Sequence, residues 1–173
     1  MAANFEDVVA ALEALKTGLL QTVVTCPLAP ITIPGITAAD AFDANDCFGT
    51  IFEIDVPKHG ILYSATFFDM DDEGTQVDLE IFRHSITQIA SSGGWSPTDE
   101  DILKFITELA FVAFDDHDKS QTSELTNIGK AYTAPAGKLY IQAVCRSTPD
   151  IAANNMPRVQ LQILSADPDF KER

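Results

Sequence analysis

Hydrophobic and polar positions change period twice along the chain. In residues 4–20, NFEDVVAALEALKTGLL, the positions Phe5, Val8, Leu12, Leu15 and Leu19 recur at spacings of three and four. That spacing predicts one apolar stripe on a helix of coiled-coil period. Asn4 is placed to cap it, Glu6 and Asp7 lie at the positive end of its dipole, and Gly18 marks its stop. Residues 21–46 lose this period. They carry Pro27, Pro30 and Pro34 with an Ile31/Ile33 alternation, which excludes a regular helix and predicts an extended Pro-rich arm.

From residue 47 to 173 the period becomes two. Segments 48–56, 61–70, 76–84, 108–114, 124–132, 138–145 and 158–164 each alternate or run apolar, and predict strands. Val77, Leu79 and Ile81 oppose Gln76, Asp78 and Glu80, while Val159, Leu161 and Ile163 oppose Arg158, Gln160 and Gln162, the pattern of strands with one wet face. Turn signals separate them at Pro57-Lys58-His59-Gly60, Asp72-Glu73-Gly74, Pro135-Ala136-Gly137 and Asn154-Asn155-Met156-Pro157. Ser96-Pro97-Thr98 before DEDILKFI predicts one short helix capped by Thr98. The expected fold is mostly β, an antiparallel two-sheet sandwich of jelly-roll type, preceded by an N-terminal helix (1–20) and an arm (21–46).

Charge narrows the partners. With 11 Lys+Arg against 26 Asp+Glu the net charge is −15, which repels phosphate backbones and argues against direct nucleic-acid binding. No apolar run approaches the roughly 20 residues that cross a bilayer, and Glu6 and Asp7 stand where a signal peptide carries positive charge. Cys26, Cys47 and Cys145 form no CxxC pair, so buried free thiols are expected.

Few residues suggest chemistry. Asp69, Asp71 and Glu73, with Gly74 and Glu80, match the spacing of a helix-loop-helix calcium loop, yet the flanks read as strands, which favours a charged hairpin turn. Asp115, Asp116, His117 and Asp118 place one imidazole among three carboxylates in a polar loop, better read as solvated than as a metal site. Cys145 alternates with Leu139, Ile141 and Ala143 and is expected in the core rather than in a triad with a histidine. Trp95 and Tyr132 would stack on sugar rings if exposed, but aromatic side chains usually fill cores. No nucleophile elbow, phosphate loop, dinucleotide fingerprint or zinc-helix motif is present.

The stretches FGTIFEIDVPKHGILYSATFFDMDDEGTQVDLEIF, WSPTDEDI, LYIQAVCRSTP and RVQLQIL resemble a loosely defined group of tailed-bacteriophage virion proteins. The matching positions are Asp78 to Phe82, Trp95 to Asp101 and Leu139 to Pro149, and the resemblance covers roughly residues 48–165. It implies a non-enzymatic capsid decoration or cement protein without a cofactor. Such a protein binds the major capsid protein and itself, with a trimer expected from threefold capsid sites. It is made in the host bacterial cytoplasm and carried on the virion. Phe5, Val8, Leu12, Leu15 and Leu19 would then form the oligomer seam, and Pro27, Pro30, Ile31, Ile33 and Pro34 would lie extended on the capsid. Two rivals belong to other classes. One is a carbohydrate-binding module on a phage tail or head, with an exposed aromatic patch at Trp95 or Tyr132; the other is an enzyme with a spatially assembled site.

Overall fold

A computed structural model describes residues 22–38, 40–152 and 155–165, together with Glu6, Val9, Asp167 and Phe170. Its strands are β1 (Thr22–Thr32), β2 (Phe52–Asp55), β3 (His59–Asp69), β4 (Val77–Phe82), β5 (Phe105–Phe111), β6 (Asp115–Asp116), β7 (Gln121–Leu125), β8 (Lys130–Thr133), β9 (Lys138–Cys145) and β10 (Arg158–Ser165), with helix α1 (Asp99–Ile102) between β4 and β5. They build a β-sandwich of two antiparallel sheets. One runs β1-β10-β3-β7-β6, with β8 also on β3; the other runs β2-β9-β4-β5.

The pairing is nested. β4 pairs with β5, β3 with β7 and β8, β2 with β9, and β1 with β10. The chain is therefore one long two-stranded ribbon with its tip at β4–β5, folded over so that β10 also meets β3 and β9 also meets β4. Period-two alternation makes this possible, because each strand turns one row of side chains inward. Val159, Leu161 and Ile163 of β10 are fully buried, as are Leu139, Ile141 and Ala143 of β9. Phe67 of β3 and Phe111 of β5 meet across the two sheets with ring centroids 5.7 Å apart. Each such side chain contributes about 2–3 kcal/mol by leaving water.

Residues 22–32 are extended, but the described part of the expected arm (21–46) is no free arm. Among the described part, β1 is the edge strand of the six-stranded sheet, and Cys26, Ile33, Ile36 and Phe42 enter the common core. Ile33, expected on a capsid surface, is 1% exposed, and Pro27, Pro30, Ile31 and Pro34 are half-buried against the chain's own sandwich. The edge position explains how prolines fit a strand, since Pro lacks a ladder N–H. The register of β1 on β10 shifts between Cys26 and Ile31, and Gln160 Nε2 donates to the carbonyls of Pro27 (3.1 Å) and Leu28 (2.9 Å) that the bulge leaves open. After β1 the chain turns under Gly49, whose φ is +78° and where a Cβ would stand 2.3 Å from the Pro34 carbonyl. Only glycine fits that crossing.

The segment expected as one strand over 124–132 is two, β7 and β8, both on β3, because Ile128 N and Gly129 N bond the carbonyls of Tyr63 and Leu62 at the join. Of the N-terminal helix, Glu6 and Val9 are described, helical and exposed; the stripe Phe5, Val8, Leu12, Leu15 and Leu19 lies outside the described residues.

Candidate functional site

The polar face of β4 is not wet. All six of its residues are buried, including Asp78 and Glu80, which the alternation assigns to solvent. The alternation itself holds; the outward row is covered. Strand register sets Glu80 directly opposite Glu108 on β5 and Gln142 on β9. The loop after β4 carries Trp95 against Phe82, with centroids 6.2 Å apart, and Phe105 packs on the other side of Phe82 at 5.6 Å.

Arg146, just past β9, is the hub of this face. Its Nε donates to Asp78 and its Nη1 to the side-chain oxygen of Asn45, while Nη2 lies 4.0 Å from Glu80 and 3.8 Å from Glu108. One guanidinium thus faces three carboxylates. Burial pushes the Glu80 carboxyl up to about 7, the charge of Glu108 and a hydrogen bond to it add to the rise, and Arg146 offsets part of it. The Glu80–Glu108 pair therefore holds a proton near neutrality, since two carboxylates directly opposite on neighbouring strands repel.

A second polar anchor closes the loop that covers this face. Thr98 caps α1, as its sequence predicts: its Oγ1 accepts from Asp101 N at 3.2 Å and donates to Asp101 Oδ2 at 2.9 Å. Asp101 also accepts from Thr87 N at 3.2 Å and pairs with Lys104 Nζ at 2.8 Å. The Lys104 contact, with these other donors, holds the Asp101 carboxyl far below the ordinary range.

The calcium-like loop between β3 and β4 is occupied from within. Asp69 accepts from the N–H groups of Asp71 (3.0 Å) and Thr75 (2.9 Å). Asp71 accepts from Ala152 N and Asn155 Nδ2, both at 2.6 Å, and Glu73 accepts from Asp150 N at 2.9 Å. These carboxylates turn toward separate donors, so they staple the loop before β10 instead of converging on one point. Among the described residues, no three His, Cys, Asp or Glu side chains are grouped to hold a metal ion.

The other candidates disperse. Asp115 and Asp116 form β6, where His117 Nε2 meets Thr122 Oγ1 at 2.9 Å and Asp118 N donates to Asp116 at 2.8 Å, the bonds of an exposed hairpin turn. All three cysteines are buried. Burial, with the Asp46 charge, raises Cys47 to about 11, and burial raises Cys145 further, so neither is a thiolate at neutral pH. Tyr132, which a sugar platform would need exposed and which was expected in the core, is 7% exposed there, and Trp95 is half-buried on Phe82.

Arg146 and Glu108 were invisible as site residues in the sequence: no spacing links positions 45, 78, 80, 108 and 146 until the ribbon folds over. Among the described residues, no helix is long and apolar enough to cross a membrane. No protein-family model, curated protein or solved structure matches the chain.

Proposed function

We propose that the chain is a non-enzymatic structural protein of a tailed-phage virion, a decoration or cement protein that binds the major capsid protein and stabilises the head. The observation that carries this reading is the nested pairing of the ribbon. We read the strand order β1-β10-β3-β7 facing β2-β9-β4-β5 as a jelly-roll winding, an architecture shared by viral capsid and lectin domains. Fold alone does not assign a role. Support for a structural role comes from the use of the polar groups: Asp69, Asp71, Glu73 and Asp101 are spent on backbone donors and loop anchors, and the thiols stay protonated. Against the sugar-binding rival, Tyr132 is in the core and Trp95 is half-buried.

On this reading the chain self-associates, as a trimer, through the N-terminal stripe, and the exposed side of β1, where Val23 is 47% and Leu28 61% exposed, lies toward the shell. The test uses two proteins, the full chain and one lacking residues 1–20, which leaves β1 in place. Light scattering after size exclusion should give a trimer for the first and a smaller species for the second. Expanded heads of the phage that encodes the chain should bind the full chain at saturable copy number. Full occupancy by the shortened protein would remove the assembly role of the stripe, and no binding by either would overturn the virion reading.

A further inference from the structure

The six-stranded sheet has a step in its outer edge. β7 and β8 lie end to end along β3, at Ala65–Asp69 and His59–Leu62 respectively. β6 covers β7 alone, and no described strand covers β8. Ala134 N donates to the Lys58 carbonyl at 2.8 Å. By the alternation of an antiparallel ladder, Ala131 and Thr133 then turn their N–H and C=O groups to the open side.

Beside that open edge is a cavity of about 410 Å³ between the two sheets. Its apolar wall is Phe105 and Ile106, where the register of β4 on β5 shifts and Ile106 is the extra residue. Such a bulge re-aims side chains at the end of a strand pair. Its rim carries Arg83 and Lys130. Both are exposed, and in a chain of net charge −15 both lack an ion pair among the described residues, whereas Lys104, Lys138 and Arg146 each hold a carboxylate.

We propose that this notch receives an extended acidic segment of another protein chain by strand addition beside β8. The backbone of the segment pairs with Ala131 and Thr133, a carboxylate settles between Arg83 and Lys130, and the apolar side chain two residues along, on the same face of the segment, enters against Phe105 and Ile106. Main-chain bonds supply affinity in this mode, and the pocket and charges supply choice. An acidic occupant follows from charge: two cations without an ion pair among the described residues flank β8, which β6 leaves open. The proposal needs only an acidic chain, so it stands or falls separately from the virion reading.

The test is fluorescence anisotropy of the full chain with a labelled peptide of repeating Asp-Ser-Val-Ser, which sets aspartate and valine in turn along one face, against a Lys-Ser-Val-Ser control. The acidic peptide should saturate and the basic one should not. Arg83→Ala with Lys130→Ala should weaken binding roughly tenfold or more. Because both side chains are exposed, the double variant should keep the parent's melting temperature. Arg83→Glu with Lys130→Glu should reverse the preference and bind the lysine peptide. N-methylation of alternate peptide amides should abolish binding. No saturation up to about 1 mM would overturn the proposal. So would equal binding by the alanine double variant. Undiminished binding of the N-methylated peptide, displaced by glucuronate, would overturn strand addition and make the notch a site for small carboxylates.

Discussion

Two acidic clusters border β4, one in the loop before it and one on its outer face, and use their charge in opposite ways. In the loop before it, Asp69, Asp71 and Glu73 each accept from N–H donors. On its outer face, Glu80 and Glu108 face each other, with one guanidinium shared among them and Asp78. The difference shows that a carboxylate's effect depends on what the fold sets opposite it, not on how many acids are near. The loop cluster fastens β3–β4 to the segment before β10. The face cluster stores repulsion that a proton or Arg146 relieves.

The largest effect should come from removing the shared cation. Arg146→Ala leaves Asp78 and Glu80 buried without their counter-charge and should cost about 3 kcal/mol in urea unfolding at pH 7. An unchanged midpoint would mean that the guanidinium merely lies over the face. Substituting Asp69 tests the other cluster: Asp69→Ala strips the buried Thr75 N–H of its partner and should cost about 2 kcal/mol.

The pH responses of Glu80 and Asp101 differ in sign. The raised Glu80 value means that its share of stability is fully present below its ordinary 4.5 and is lost as pH rises through about 7. The wild-type protein should therefore lose on the order of 2 kcal/mol between pH 5 and pH 8, a slope that Glu80→Gln abolishes. If the variant and the wild type fall in parallel across that window, the Glu80–Glu108 repulsion is not the cause. Asp101 works in the other direction. Its lowered value stabilises the protein above its ordinary 3.8, and that share is lost as pH falls below it, so Asp101→Asn should matter near neutrality and not in strong acid. The smallest effect is expected from calcium. With Asp69, Asp71 and Glu73 already bonded to backbone donors, about 5 mM calcium should shift the melting temperature by less than about 1 °C.

Much of the β domain was legible locally. Alternation at Val159, Leu161 and Ile163 identified core positions of β10, and Ser96-Pro97-Thr98 before three acids identified the cap of α1, because both signals lie within one turn or one strand. Strand flanks also favoured a hairpin turn over a calcium loop at Asp69–Glu73; the flanks are strands, but β3 and β4 lie in different sheets, so the segment is a crossover between sheets and not a hairpin. The site was less legible. Prolines in residues 21–46 read as an arm, but an edge strand tolerates them equally, and only the pairing with β10 distinguishes the two.

What the sequence determined by itself was which residues alternate, where the chain turns and that acids outnumber bases, since these are properties of neighbours in the chain. Tertiary structure alone decided that the outer face of β4 would be covered, that Arg146 would meet acids from β4 and β5, and that β8 would be left with an open edge. Those outcomes depend on which strands the folded ribbon brings side by side, and pairing at long separation follows from how two sheets close over one core, not from any period along the chain.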